Sequence, residues 1–165
     1  MTIRSESSAD IGAIRDVNIA ACTGSADADL VDALREQANP IVSLVADDDG
    51  SIVGHILFSP VRLANHPDLT IMGLAPMAVR PSHQRRGIGS ALVREGLDRC
   101  ARLGSVAVVV LGHHNYYPRF GFVPASRFGI SCTYDVPDDV FMALELIAGA
   151  LRGRTGTISY HAAFG

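Results

Sequence analysis

The segment Gln84–Ser90, Gln-Arg-Arg-Gly-Ile-Gly-Ser, holds the residue types that most clearly suggest chemistry. Gly87 and Gly89 have no side chains, so backbone N–H groups can approach an anion closely. A periodic helical sequence follows, and a helix N-terminus adds unsatisfied N–H donors and a partial positive charge. Arg85 and Arg86 add charged contacts. The combination suits a pyrophosphate; the alternative is a helix-initiating loop that binds nothing.

Two better-known phosphate-binding motifs do not fit this segment. A Walker A loop needs Gly-Lys-Ser/Thr, which the chain lacks. A dinucleotide fingerprint needs a third glycine, and Leu92 stands where it would be. A domain that binds some other nucleotide therefore remains an alternative.

The wider context, Leu74–Leu92, resembles the central motif of the GNAT superfamily of N-acetyltransferases. That motif is Gln/Arg-x-x-Gly-x-Gly/Ala after a strand ending in Leu-Ala-Val, and Met77 replaces its leucine conservatively. A second block, Asn115–Phe122, is similar to the family's Tyr-x-x-x-Gly-Phe element. The resemblance covers the layout from Ile3 to Val123, and the C-terminal part looks like a bacterial branch of acetyltransferases.

The resemblance implies a fold and a donor substrate. The fold would be α/β (α+β), a mixed central β-sheet with a splayed central strand pair and helices on both faces. Acetyl-CoA would be the donor, with main-chain groups of Met77, Ala78 and Val79 facing its pantetheine arm and thioester carbonyl. Asn115 lies where the family often has a polar contact to the cofactor. The pyrophosphate cradle would consist of Gln84, Arg85, Arg86, Gly87, Ile88, Gly89 and Ser90.

The resemblance also implies a general acid, Tyr117, near the thioester sulfur. A phenol within hydrogen-bond reach can protonate a departing thiolate, and a backbone N–H can stabilise charge on the carbonyl oxygen. The adjacent Tyr116 is a competing candidate, and aromatic residues before a Gly-Phe turn often serve only in packing.

The sequence does not identify a general base. The strand predicted over Leu69–Val79 contains no acidic residue, so a distant or water-relayed base is an alternative. Glu145 is interpreted as a solvent-facing strand residue. His113 and His114 are adjacent and predict no metal site. Cysteines 22, 100 and 132 are predicted to be reduced thiols, and none lies near the motif to act as a covalent nucleophile.

These residues need a particular order of elements to position them. The hydrophobic pattern predicts a first strand at Ile3–Arg4, a helix whose Ser7 and Asp10 have capping-box spacing, and a β-hairpin around Asp47–Gly50. Pro76 predicts an edge or a bulge. The remaining predicted elements are helices over 28–37, 87–103 and 116–120 and strands over 41–46, 51–59, 69–79, 106–111, 140–146 and 157–164.

Length and composition set the broad class. The 165 residues predict a single domain, 1–165, since domains typically hold about 100–200 residues. A net charge of −3 gives no general attraction to nucleic acid or to anionic lipid. Neither a signal-peptide core nor an apolar run of the roughly 20 residues that span a bilayer is present, so we expect a cytoplasmic protein.

The combined prediction is an acetyl-CoA-dependent N-acetyltransferase that acts on a primary amine by direct attack in a ternary complex. The alternative is a non-catalytic acyl-CoA-binding regulatory module. The acceptor amine is unknown. The apolar segment Ile158–Phe164 offers an edge for pairing between subunits, which gives the hypothesis of a homodimer.

Overall fold

The computed structural model describes residues 1–22 and 24–165. In that part of the chain, no helix is long and apolar enough to cross a bilayer. Its three α-helices are α1 (Ile11–Ala21), α2 (Ala26–Gln37) and α3 (Ile88–Arg102). Its nine strands are β1 (Thr2–Ser5), β2 (Val42–Asp48), β3 (Ser51–Leu63), β4 (Ile71–Val79), β5 (Ala107–Leu111), β6 (Val123–Pro124), β7 (Ile130–Cys132), β8 (Phe141–Glu145) and β9 (Gly156–Ser159). Short 3-10 helices span Ser8–Asp10, Pro81–His83, Tyr117–Phe120, Ala125–Phe128 and Ala162–Phe164.

The strands form a mixed sheet in the order β1-β2-β3-β4-β5-β8-β6. Neighbours pair antiparallel except β4 and β5, which are parallel because α3 connects them as a crossover. β9 pairs with the end of β3 and with β7. The predicted α/β fold, with a mixed sheet and helices on both faces, is confirmed.

The central strand pair splays open part-way along its length. β4 and β5 pair from Ile71 to Leu74 and no further. Between Phe58 and Ile56, β3 advances two residues while β4 advances three, from Leu74 to Met77, so β4 bulges at Ala75–Pro76. Beyond the bulge β4 follows β3, whereas β5 stays with β8 as far as Leu111. Pro76 therefore marks a bulge in a central strand and not a sheet edge, and the bulge opens the predicted splay.

Alternating side chains build a separate core on each face of the sheet. Leu44, Ile56 and Phe58 face α3, which buries Leu92 and Cys100 against them. On the other face, α1 and α2 cover residues that include Val45 and Leu57. A third cluster lies on that same face beyond β4, where the C-terminal segments cover Ile71, Val109, Ala143 and Ile158.

The C-terminal region differs most from the prediction. The strand predicted over 157–164 is only the four-residue β9, and a 3-10 helix over Ala162–Phe164 ends the chain. The short strands β6 and β7 were not predicted, because two or three residues give no periodicity. Both sides of β9 are paired within the chain, so the segment has no free edge there. The homodimer stays a prediction that light scattering can test.

Candidate active site

The end of β4 presents free backbone groups to the splay. Arg80 N–H donates to the Val53 carbonyl on β3 at 2.8 Å. Because successive N–H groups along a strand point in opposite directions, Ala78 also faces β3, whereas Met77 and Val79 face the gap left by β5. Of the three residues predicted to offer main-chain groups, Met77 and Val79 have N–H groups free to bind a ligand, and Ala78 does not.

The predicted pyrophosphate cradle, Gln84–Ser90, surrounds the N-terminus of α3 and is called the phosphate loop below. Gly87 is the N-cap, with a φ of 80° that favours glycine. The first intrahelical bond runs from Ala91 N–H to Gly87 carbonyl, which leaves the N–H groups of Ile88, Gly89 and Ser90 without intrahelical acceptors. The Gln84 side chain donates to the Val79 carbonyl at 3.0 Å and so ties the loop to the end of β4.

A cavity of about 360 Å³ lies over this helix end. Arg85 lines it and has a φ of 63°, a costly conformation for a residue with a side chain. Arg86 is exposed and does not line the cavity. Six of the seven predicted cradle residues line it: Gln84, Arg85, Gly87, Ile88, Gly89 and Ser90.

Sequence reasoning missed Arg119, whose side chain also lines this cavity. Its guanidinium lies 4.4 Å from the centre of the Tyr116 ring, and its Nε–H donates to the Tyr116 carbonyl at 2.9 Å. The available signal was the position of an arginine within the Tyr-Pro-Arg-Phe-Gly-Phe block. Arg119 adds positive charge facing the loop, which favours an anion in the cavity.

Tyr116 contacts the phosphate loop. Its hydroxyl makes a hydrogen bond of 3.0 Å with Ser90 Oγ, and a Cβ at position 89 would lie 3.4 Å from that hydroxyl. Its ring meets the Tyr117 ring edge to face, with the centres 5.0 Å apart. The two adjacent tyrosines therefore occupy different surroundings.

Tyr117 lies at the splay itself. It lines a cavity bounded there by Ala75, Pro76, Met77 and Leu111. The ring packs against Gly112, where any side chain would overlap it. Burial raises the pKa of Tyr117 to about 12, so its hydroxyl keeps its proton at neutral pH.

This second cavity has a volume of about 660 Å³ and lies on the α2 side of the sheet. Met77 lines it, and a Cβ at position 89 would lie 3.8 Å from the Met77 Cε, so Met77 neighbours both cavities. Sequence reasoning missed the lining residues of α2 and of the C-terminal part of the chain, because they come from distant segments. They are Asp27, Leu30, Tyr134, Asp135, Val136, Tyr160 and Phe164.

Other predicted candidates lie away from these cavities. Asn115 is exposed and lines neither of them. Glu145 is half-buried at the end of β8 and accepts a hydrogen bond from Leu151 N–H at 2.9 Å, away from both cavities. His114 pairs with Asp139 at 3.4 Å on the surface. Among the described residues, no three or more His, Cys, Asp or Glu side chains are arranged to hold a metal ion.

The family follows from comparison with known proteins. The sequence model of the acetyltransferase (GNAT) family matches residues 13–122, a span that contains the splay, the loop and both tyrosines. The chain belongs to this family. The predicted family and enzyme class, an N-acetyltransferase, are thereby confirmed.

Relatives of this GNAT chain agree in sequence and in fold. The N-acetyltransferase YhbS of Escherichia coli K12 is 39% identical over 140 residues, which cover 84% of this chain and 83% of YhbS. A crystal structure of E. coli YhbS in complex with CoA has a TM-score of 0.93 at 36% identity, covering 99% of this chain and 91% of that one. A GNAT acetyltransferase from Brucella melitensis in complex with acetyl-CoA has a TM-score of 0.81 at 35% identity, covering 99% and 97%.

Proposed function

We propose that this GNAT chain transfers an acetyl group from acetyl-CoA to a primary amine by direct attack in a ternary complex. The observation that carries the proposal is the position of Tyr117, a protonated phenol at the splay that lines the larger cavity. Its neighbour in sequence, Tyr116, hydrogen-bonds the phosphate loop. The two similar structures that hold CoA or acetyl-CoA support this donor.

The residues of the loop and of β4 would hold the donor. The free N–H groups of Ile88, Gly89 and Ser90, with Arg85 and Arg119 beside them, suit a pyrophosphate. The free N–H groups of Met77 and Val79 would hydrogen-bond the pantetheine arm, which would take the place of a neighbouring β-strand. The larger cavity would then receive the amine.

The chain's own residues would act on the charges that change during transfer. The amine nitrogen forms a bond to the carbonyl carbon of the thioester while the carbon–sulfur bond breaks. A backbone N–H at the splay would stabilise charge on the carbonyl oxygen. Tyr117 would give its proton to the thiolate sulfur, and the new amide nitrogen would lose its extra proton to solvent.

The experiment measures two quantities on the same protein. Calorimetric titration gives the Kd for acetyl-CoA and, separately, for ATP; a thiol reagent measures CoA release with a panel of primary amines. We expect acetyl-CoA to bind, ATP to bind far more weakly, and thiol release to depend on the amine. Binding without thiol release by any amine would instead support a non-catalytic acyl-CoA-binding module. Equal binding of ATP would support a nucleotide-binding domain.

A further inference from the structure

The charged side chains that line the 660 Å³ cavity all carry the same sign. They are Asp27, at the start of α2, and Asp135, in the loop between β7 and β8. No arginine or histidine is among the lining residues, and the chain contains no lysine at all. An acceptor that carries a carboxylate would find no cation here, whereas one with an extra ammonium would find two carboxylates.

Asp27 differs from two other acidic residues of its helix, Asp29 and Asp32. Asp29 and Asp32 pair with Arg15 at 2.8 and 3.0 Å. Within residues 1–22 and 24–165, no cationic side chain lies within salt-bridge distance of Asp27 or Asp135. Burial, and after it a hydrogen bond to Asp27, raises the pKa of the Cys22 thiol to about 11, so the thiol beside Asp27 stays neutral.

An aromatic wall lies beside the carboxylates. The Tyr160 ring centre lies 5.8 Å from that of Tyr134 and 5.2 Å from that of Phe164, and all three residues line the cavity. The Tyr160 hydroxyl is buried and has no hydrogen-bond partner among the described residues. Aromatic faces attract organic cations, so these rings favour a cationic ligand.

Because the cavity combines uncompensated carboxylates, aromatic faces and no cation, we propose that the acceptor is a small diamine or polyamine. Its second ammonium group, remote from the nitrogen that is acetylated, is held by Asp27 and Asp135. The cavity volume suits a small molecule. This inference rests on the proposed acetyl transfer, and it makes the two carboxylates specificity-determining residues for the acceptor, separate from the phosphate loop and Tyr117.

The test compares three amines of nearly equal length. Thiol release is measured with 1,5-diaminopentane, with pentylamine, which lacks the second ammonium, and with lysine, which adds a carboxylate to the diamine. We expect kcat/KM for diaminopentane to exceed that for each of the others at least about tenfold, because pentylamine lacks the charge-assisted contact and the carboxylate of lysine is repelled. Asp27→Asn and Asp135→Asn should each reduce this preference, mainly through KM, with the Kd for acetyl-CoA unchanged.

The matched control is Glu36→Gln, which removes one negative charge from the same helix at an exposed position outside the cavity. It should keep the preference for the diamine. Equal kcat/KM for pentylamine and diaminopentane, a preference for lysine, or a preference that survives both aspartate variants would overturn the proposal.

Calorimetric titration of 1,5-diaminopentane into the CoA-saturated protein distinguishes failure of the proposed acetyl transfer from failure of the diamine site. If the diamine binds with an affinity that Asp27→Asn weakens, yet none of the three amines releases thiol, the cation site stands and acetyl transfer fails. If the diamine does not bind and none of the three amines releases thiol, the diamine proposal fails together with the proposed acetyl transfer.

Discussion

Tyr116 and Tyr117 are adjacent in the chain but contact different cavities. The Tyr116 hydroxyl bonds Ser90 at the phosphate loop, whereas Tyr117 lines the larger cavity at the splay. The peptide between them begins a 3-10 turn, so successive side chains point in different directions. This divergence makes each tyrosine the natural control for the other.

Tyr117→Phe should lower kcat about 10²–10⁴-fold, the usual contribution of a general acid, and leave the Kd for acetyl-CoA nearly unchanged. The variant keeps the ring and its packing against Gly112 but removes the proton donor. Tyr116→Phe should change kcat far less, because it removes only the bond to Ser90. Steady-state kinetics with one saturating amine measure both effects.

The pH profile tests the same assignment. With a Tyr117 pKa near 12 in the free protein, its ionisation should cause no loss of kcat/KM between pH 7 and 10. If Tyr116→Phe lost the rate and Tyr117→Phe kept it, the acid would be Tyr116. If neither variant lost rate, tyrosine acid catalysis would be excluded.

His55 is a fully buried residue away from both cavities. Asn18 Nδ2–H donates to its Nδ1 at 3.3 Å, so its Nε2–H donates to Ser43 Oγ at 2.9 Å, and Ser43 in turn donates to Glu6. Burial lowers the pKa of His55 from 6.5 to about 4. The imidazole is therefore neutral in the folded protein at physiological pH.

This depressed pKa predicts a loss of stability in mild acid. Between pH 6.5 and 4 the unfolded chain binds a proton at His55 that the folded protein does not, so the free energy of unfolding falls as the pH falls through this range. At 1.36 kcal/mol per pKa unit, the loss approaches about 3 kcal/mol at pH 4. Urea unfolding at several pH values measures it. His55→Gln should flatten the slope, whereas His113→Gln, which removes an exposed histidine, should not; an unchanged slope in His55→Gln would contradict the assignment.

At the scale of the elements, α3 connects the core to the phosphate loop. Its apolar face packs on the sheet so closely that Gly96 lies against the Phe58 ring, and a methyl group at position 96 would overlap that ring. The close approach sets the distance of α3 from the sheet. The N-terminus of the same helix then lies beside the end of β4.

Gly96→Ala should destabilise the protein by about 1–3 kcal/mol, because the buried Phe58 has no room to move. Gly12→Ala, on the exposed side of α1 with no atom within 4 Å of the added methyl group, should instead stabilise it by up to about 1 kcal/mol. Chemical denaturation measures both. Equal effects would show that helix propensity and not packing governs position 96.

Gly89→Val tests the phosphate loop. The branched side chain would crowd the Tyr116 hydroxyl and cover the free N–H groups at the start of α3. We expect acetyl-CoA to bind at least about tenfold more weakly, while the circular dichroism spectrum and Tm stay near those of the parent. Ala101→Val, at an exposed position of the same helix, controls for the lower helix propensity of valine. Unchanged binding by Gly89→Val would show that the loop does not hold the phosphates.

For the whole molecule, we propose that residues 1–165 form a single N-acetyltransferase domain. The three buried clusters lie on one sheet, and β3, β4 and β5 contribute to more than one of them. Differential scanning calorimetry should therefore show one transition whose calorimetric and van't Hoff enthalpies agree. Separate transitions would show that the C-terminal layer around β7 and β9 folds independently.

Local patterns determined much of the architecture and also the phosphate loop. Three features depend only on residues close together in the chain: the apolar stripe of α3, the continuous apolar run of β5 and the turn at Asp47–Gly50. The spacing of their apolar residues and the turn residues therefore identify them. The loop is equally local, because Gly87 and Gly89 adjoin the helix end whose N–H groups they leave free. The resemblance to the GNAT family added the splay and the tyrosine block.

Which side chains share a cavity depends on contacts between distant segments of the chain. Asp27 and Asp135 lie far apart in the chain, and no local pattern relates them; the sheet places α2 and the β7–β8 loop on the same side of the splay. The directions of Tyr116 and Tyr117 likewise depend on the space beside Gly112 and the hydroxyl of Ser90. Local sequence determines an element and its buried face, whereas the meeting of distant residues depends on how the whole sheet is ordered and where its strands separate.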